Sequence, residues 1–393
     1  MEPPTPRARH ARGPMTVDPA FLDIAADLAR REPTPFYVYD TARLRSTCRS
    51  LRGLPTRARV YFATMANAHP RFLEVIREEG LGVFVNTMGH LGRALEVGFE
   101  PGRIVYTASG MSEALMREVR ATGAEVNLDS IGQVALWRTL FPGQPFGIRC
   151  NIGDRIEARE TRAGFFVGPQ SRLGLSGPEL ESVFGSPDIH GLHLYAGTDI
   201  LDLRYFEAAY RALLELVPHF PALDYLDLGG GFGVPGPGQD PFDFHGYGAL
   251  VAQIMDDAAA LAGRPLDLVL EPGRIVGAEA GLFVCRVTDV KPRGERQLVG
   301  VDASSAQFPR PLLYPDSALH PHALLPTHGR DPGPPVPSQV YGCSTYSRDF
   351  LVWDGALPPA QPGDLVVLGQ AGAYCASLRT EFLGFPPAPE HYR

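Results

Sequence analysis

From residue 59 onward, short apolar runs alternate with segments of helical period. The runs at 59–65, 82–86, 103–107, 125–129, 146–151, 190–195, 224–228 and 267–271 have the length and composition of strands buried on both faces. Between them, 70–79, 89–98, 112–122, 203–217 and 247–262 place apolar residues on one helical stripe. Eight such strands, each followed by a helix or loop, predict a (β/α)8 barrel of roughly 240 residues. A doubly wound sheet is the competing arrangement, but it rarely needs eight parallel strands. After Gly273 the rhythm changes. Segments 282–290, 297–302, 339–343 and 364–369 read as strands between Pro/Gly-rich loops, which predicts an all-β domain of sandwich or Greek-key type. The expected division is a disordered Pro/Arg-rich tail over 1–17, with Met15 as a candidate start, then a barrel over 18–280 and a β domain over 281–393. The strand-like FYVYD at 36–40 is expected to pair into the β domain, and the proline-dense loop 325–338 to be a mobile surface excursion.

Composition narrows the function classes. The chain has 393 residues, 44% apolar and 20% charged, which allows a large core and excludes wholesale disorder. A net charge of -8 argues against a nucleic-acid surface, which needs clustered Lys and Arg. No apolar run approaches the roughly 20 residues of a membrane span, and no signal-peptide pattern opens the chain, so a soluble cytoplasmic protein is expected. Cys48, Cys150, Cys285, Cys343 and Cys375 match neither a zinc spacing nor a disulfide framework. No metal site is expected: the eleven histidines do not cluster, and His320-Pro321-His322 reads as a solvated loop. Lys291 is the only lysine in the chain.

In such barrels, polar residues at the strand C-termini build the active site. Here the strand ends carry Met65-Ala66-Asn67, Asn86-Thr87, Asp129-Ser130, Arg149-Cys150-Asn151, His193-Leu194-Tyr195, Asp227-Leu228 with Gly229, Gly230 and Gly231, and Glu271-Pro272-Gly273-Arg274. A glycine triplet lets the backbone approach an anion with its N–H groups exposed, although a plain turn explains the same triplet. EPGR on the next strand favours phosphate. LDLGGGFG resembles a dinucleotide loop, but GxGxxG followed by an acidic partner is missing.

FYVYD, YFATMANAHP, VNLDS, GLHLYAGT, LDLGGGFG, EPGR, RPLLY and GAYCAS occur in this order across 36–377. Together they resemble the fold-type III pyridoxal-phosphate decarboxylases, which include diaminopimelate, ornithine and carboxynorspermidine decarboxylases. The YAGT, FLGFP and PAPE variants look closest to the branch acting in siderophore, antibiotic and exopolysaccharide pathways. The resemblance implies that Gly229, Gly230 and Gly231, with Gly273 and Arg274, hold the cofactor phosphate. It implies that Glu271 binds the pyridine nitrogen, where a carboxylate keeps that nitrogen protonated. Tyr374 would donate to the phosphate across a dimer interface, the alternative being a core aromatic. Arg310 and Tyr314 would meet a substrate carboxylate, with a surface salt bridge as the alternative for Arg310. Asp349 aligns with the family's acid for the substrate amine. Arg149 aligns with an arginine near the cofactor, a barrel-interior ion pair being the alternative.

The departures from the family cluster in one place. Its signature on the first strand is of Ala-Val-Lys-Ala-Asn type, and that lysine carries the cofactor as a Schiff base. This chain has Ala63-Thr64-Met65-Ala66-Asn67, so Met65 stands at the lysine position. A thioether has no nucleophilic nitrogen. Lys291, on an expected β-domain strand, is no replacement. Tyr195 replaces the histidine that stacks on the cofactor ring, Phe84 a barrel aspartate and His90 a glutamate. Thr345 aligns with the catalytic cysteine, with neighbouring Cys343 leaving that register open, and a hydroxyl cannot match a thiol as proton donor near neutral pH. Such correlated losses favour natural divergence over a single Lys-to-Met exchange. Three readings follow. One is a decarboxylase-like carbon–carbon lyase of specialised biosynthesis with altered or lysine-independent chemistry on an amino-acid-type substrate. Another is a non-catalytic relative that binds a phosphorylated ligand or a partner, and the third is an inactivated Lys-to-Met form of an ordinary decarboxylase. Pyridoxal phosphate is then either held noncovalently or not held. The family implies a homodimer with shared active sites.

Overall fold

The computed structural model describes residues 17–54, 58–153, 155–156, 166–236, 238–315 and 318–393. Residues 1–16 of the expected tail lie outside these. The described residues form two compact units: a barrel unit within Thr41–Val234 and Phe242–Gly277, and a β unit of the described residues up to Asp40, Pro235–Pro241 and Ala278–Arg393. Residues 18–40 therefore belong with the β domain, not with the barrel as expected. The reason is helix α1 (Pro19–Leu28), which buries Phe21, Ala25 and Leu28 against Phe36, Leu282 and Val367. Val17 is itself buried in this cluster, so the expected tail reaches one residue too far. Strand β1 (Phe36–Tyr39) follows and is buried throughout.

The barrel unit opens with α2 (Thr41–Arg52). It continues through β2 (Ala58–Ala63), α3 (Pro70–Glu78), β3 (Gly82–Val85), α4 (Met88–Val97), β4 (Ile104–Ala108) and α5 (Glu113–Thr122). Then come β5 (Glu125–Leu128), α6 (Ile131–Leu140), β6 (Phe146–Arg149), the short α7 (Gly177–Glu181), β7 (Ile189–His193), α8 (Leu203–Leu214), β8 (Tyr225–Asp227), α9 (Phe244–Ala262), β9 (Asp267–Leu270) and α10 (Arg274–Gly277). Strands β2 to β9 are parallel and close into a ring, with β9 pairing back to β2. Thr87, Ser112 and Ser130 accept backbone N–H bonds that start α4, α5 and α6, so each chain reversal after a strand is set by a local cap. Inside the ring, Arg59 Nη1 meets Glu125 Oε1 at 2.8 Å near the strand N-termini. Tyr61, Ala63, Phe84, Val105 and Val269 form the apolar middle, with Met65 and Tyr225 packed on it. The inner residues at the strand C-termini are polar. That gradient puts chemistry at one end only.

The β unit adds β10 (Gly281–Arg293), β11 (Arg296–Val301), α11 (Arg310–Leu313), β12 (His322–Leu325), β13 (Val336–Tyr341), β14 (Phe350–Leu357), β15 (Leu365–Leu368) and β16 (Glu390–Tyr392). The sheet order is β12-β15-β10-β11-β13-β14, and β1 pairs antiparallel with β10 and parallel with β16. β10 changes partners along its length. Its first half pairs with β1 and β15, and from Val287 onward it pairs with β11, with a register shift between Val287 and Asp289. A (β/α)8 barrel with a C-terminal all-β domain is thus the fold class expected from the sequence. Two local expectations fail. The stretch 325–338 is not a free excursion, because Asp364, fully buried, accepts from Thr327 N at 2.9 Å and from Arg330 Nη2 at 2.5 Å. His320 is buried rather than solvated, with Nδ1 2.8 Å from Gly369 O. Among the described residues, no helix is long and apolar enough to cross a membrane.

Candidate active site

Glu271 directly follows β9, and its side chain points into the barrel beside Asp227 at the end of β8 and His193 at the end of β7. All three are buried, and one ligand atom from each lies within 4.8 Å of the others. Asp227 accepts from Gly229 N at 3.0 Å and is hydrogen-bonded to Glu271. Burial pushes the Asp227 carboxyl well above the usual carboxylate range, and Glu271, pushed up chiefly by burial, reaches about 7. Near neutral pH Asp227 therefore keeps its proton while Glu271 titrates, and the pair carries at most one negative charge rather than two. His193 Nε2 stands 3.3 Å from Glu271 Oε2, an ion-pair distance. Burial, however, lowers the imidazole to about 4, so His193 is neutral at physiological pH and the contact is not an ion pair. Glu271 Oε1 is buried without a hydrogen-bond partner. An orphaned carboxylate oxygen costs about 1–3 kcal/mol or more, which a protonated ring nitrogen would relieve.

The glycine triplet runs alongside. Gly229 and Gly231 adopt left-handed backbone with φ of 69° and 96°. A Cβ on Gly230 would come within 2.3 Å of the Glu271 carbonyl oxygen, so a side chain there would push β8 and β9 apart. The carbonyls of Gly229 and Gly231 accept from Glu271 N and Ile200 N, both at 2.8 Å. The N–H groups of Gly230, Gly231 and Gly273 donate to no acceptor among the described residues. This leaves a nest of amides fit for an anion. Arg274 opens α10 and is ion-paired to Asp199, itself in left-handed backbone at φ 53°.

Arg149, at the end of β6, pairs with Asp129 at 3.4 Å, the barrel-interior alternative foreseen for it, and lies 5.4 Å over the Tyr195 ring. Tyr195 is pushed up to about 12 by burial and stays neutral, with Phe166 edge-on at 5.0 Å. Met65 follows β2, and Asn86 Nδ2 donates to its sulfur at 2.8 Å. No amine stands at this corner, and Lys291 is on β10, beside Tyr341 and Asp289. The described residues thus fit a phosphate and a pyridine nitrogen but offer no covalent tether.

The remaining candidates belong to the β unit. Arg310 is 5% exposed, with its guanidinium 5.4 Å from the Tyr314 ring, which excludes the surface salt bridge weighed for it. Tyr374 is half-buried and holds a left-handed backbone, φ 54°, a conformation that costs a non-glycine residue about 1–3 kcal/mol and collects at functional sites. Thr345 and Cys343 are both exposed in the loop between β13 and β14. Asp349, expected to meet the substrate amine, has its carboxylate taken up by local donors. It is 2% exposed, and its carboxylate accepts from Ser305 N at 2.6 Å, Ser344 Oγ at 2.5 Å, Ser344 N and Ser304 Oγ. It ties two loops together. Asp349→Ala is accordingly expected to lower stability by about 3 kcal/mol through orphaned donors, read as a drop in Tm, with little change in ligand affinity of the folded protein.

The sequence pattern located His193, Asp227 and Asn86 at strand ends but assigned them no role. Their position was the available signal; their unpaired or shared atoms were not visible in it.

Comparison with known proteins shows the family. The model of the pyridoxal-dependent decarboxylase family, pyridoxal binding domain, matches residues 41–278. Diaminopimelate decarboxylase of Methanothermobacter thermautotrophicus is 28% identical over 93% of this chain and 88% of its own length. That of Actinosynnema pretiosum subsp. auranticum is 30% identical over 92% and 85%. The crystal structure of diaminopimelate decarboxylase from Helicobacter pylori complexed with L-lysine shares the fold, with a TM-score of 0.83 at 23% identity over 94% of each chain. The chain therefore belongs to the fold-type III pyridoxal-phosphate-dependent decarboxylases.

Proposed function

We propose that this protein holds pyridoxal phosphate without a covalent bond and acts on an amino-acid-type substrate of a specialised biosynthetic pathway by lysine-independent chemistry. The observation that carries the reading is Glu271, whose buried, unpaired Oε1 lies at the barrel end where the glycine amides are also unsatisfied. When bound, the cofactor supplies an electron sink for the substrate's α-carbon. The chain's own residues do the rest. Gly230, Gly231 and Gly273 bind the phosphate through N–H groups, and Glu271 accepts from the ring nitrogen. Asp227 keeps a proton on the carboxyl pair, and neutral His193 packs against Glu271 without competing for charge. Tyr195 offers a planar face braced by Phe166, and Arg149 is held off the acids by Asp129. Arg310, set against Tyr314, is proposed to receive a substrate carboxylate. The protein is proposed to be a cytoplasmic homodimer, in keeping with its family.

Met65 also supports a second reading, a non-catalytic binder of a phosphorylated ligand, since proton transfer by a positioned lysine is worth about 10²–10⁴-fold. Native mass spectrometry with and without borohydride, together with an absorbance spectrum, separates the two. The expected result is a dimer that carries pyridoxal phosphate, loses it on denaturation and gains no mass on reduction. Protein that stays colourless and takes up no added cofactor would overturn the proposal.

A further inference from the structure

After β6 the chain returns to the barrel rim with Arg172, and the segment around that residue is pinned there. Leu175 N donates to Arg149 O at 2.8 Å and Asn151 N to Leu175 O at 2.9 Å, a parallel bridge against the end of β6. Gly174 N donates to Asp129 Oδ1 at 3.1 Å. Arg172 Nη1 donates to Ser109 Oγ at 3.0 Å, and Ser109, directly after β4, gives its own proton to Asp129 Oδ2 at 2.5 Å. One buried carboxylate thus holds the backbone beside Arg172 and, through Ser109, its side chain. The guanidinium is aimed but not neutralised. Its partner among the described residues is a neutral hydroxyl, and Asp129 already faces Arg149 at 3.4 Å. Two arginines against one aspartate leave this side of the rim net positive, with most of the guanidinium N–H donors unused.

The acids that would meet a cation are engaged. Asp349, the family's acid for a substrate amine, is taken up by Ser305 N and Ser344 Oγ within its own unit. Asp199 is paired with Arg274, and Asp129 with Arg149. Arg149, to which the segment is pinned, lies over the Tyr195 ring. Glu271, raised by burial, is drawn back by its hydrogen bond to Asp227 and by the Arg149 charge, so this rim and the carboxyl pair share one electrostatic environment.

We propose that Arg172, aimed by Ser109 and Asp129, reads the far end of the substrate, and that the site prefers an amino acid whose side chain ends in a carboxylate. The inference rests on the cofactor reading above and adds to it the substrate class. Lysine and ornithine end in an ammonium, for which none of these three acids is left. Arg172 is thus a specificity residue and Ser109 a positioning residue.

Reduced secondary-amine adducts of pyridoxal phosphate with 2-aminoadipate, norleucine and lysine test it, because the three share a six-carbon chain and differ in the charge at its end. Equilibrium binding to the full-length protein is read by quenching of intrinsic fluorescence. The 2-aminoadipate adduct is expected to bind about 10- to 100-fold more tightly than the norleucine adduct, with the lysine adduct weakest. Arg172→Gln is expected to bring the 2-aminoadipate and norleucine adducts within about threefold of each other. Arg172→Lys, which keeps the charge and loses the planar fork, should narrow the preference by about threefold or more, and it serves as the readout if the glutamine variant does not fold. An unchanged preference in the variant that folds overturns the inference. Unaltered protein that binds pyridoxal phosphate but ranks the adducts otherwise, or binds none of them, overturns it and leaves the cofactor reading standing. Protein that binds neither the adducts nor pyridoxal phosphate overturns both.

Discussion

Met65→Lys is expected to turn a protein that holds its cofactor reversibly into one that holds it covalently, with a visible absorbance band and a mass gain of one cofactor after borohydride. The new amine would sit above Ala63 and Phe84, next to Asn86, in surroundings that are apolar on the barrel side. Desolvation lowers an amine's pKa, and a less protonated lysine is the nucleophile such attachment needs. Turnover is a separate matter. If Met65 alone had silenced an ordinary decarboxylase, carbon dioxide release from diaminopimelate, ornithine or lysine should rise by about 10²–10⁴-fold. We expect attachment without that recovery, since Phe84, Tyr195 and Thr345 remain altered. Full recovery would support the reading of a single inactivating exchange. A variant that folds but never attaches the cofactor would show that residue 65 does not face it.

Glu271→Gln is expected to move affinity and stability in opposite directions. Cofactor affinity should fall by about 10- to 100-fold, the worth of a charge-assisted hydrogen bond exchanged for a neutral one. The ligand-free protein should become more stable at pH 8. In the folded state Glu271 keeps its proton up to about 7, whereas in the unfolded chain it loses it near 4.5. Between these values the folded state binds more protons, so stability is present at low pH and is lost as pH rises through the folded value. His193 has the opposite sign. Its imidazole, lowered to about 4 from 6.5, makes stability fall as pH drops through that window. The two slopes largely cancel between about 4.5 and 6.5, and the difference between wild type and Glu271→Gln isolates the carboxylate. Glutamine removes the cost of the buried charge, and each kcal/mol recovered should raise Tm by about 2–4 °C. A variant less stable than wild type at pH 8 would mean that the carboxylate stabilises the ligand-free fold rather than straining it.

Much of this is legible in the sequence. The eight barrel strands could be read because strands buried on both faces must be nearly all apolar, and each is punctuated by a helix cap such as Thr87 or Ser130. Glu271 and the triplet from Gly229 to Gly231 could be placed at the strand ends because the barrel topology leaves only one end for polar side chains. The position of α1 could not be read. Its apolar face, Phe21, Ala25 and Leu28, needs a partner, but periodicity does not say which sheet supplies it. The surroundings of Asp349 are hidden from the sequence for a related reason. An acid in a loop looks the same whether it meets a ligand or four local donors, and only the close approach of residues 304–305 and 344 decides.

By itself the sequence determined the strand rhythm, the family's ordered motifs and the absence of lysine from position 65, because these are properties of residue type and spacing along the chain. Only the tertiary structure decided that Asp227 keeps its proton beside Glu271 and a neutral His193, and that Asn86 is left with an unpaired oxygen. Those depend on burial and on atoms brought together from different strands, and burial sets what a charge or an unmet hydrogen bond costs.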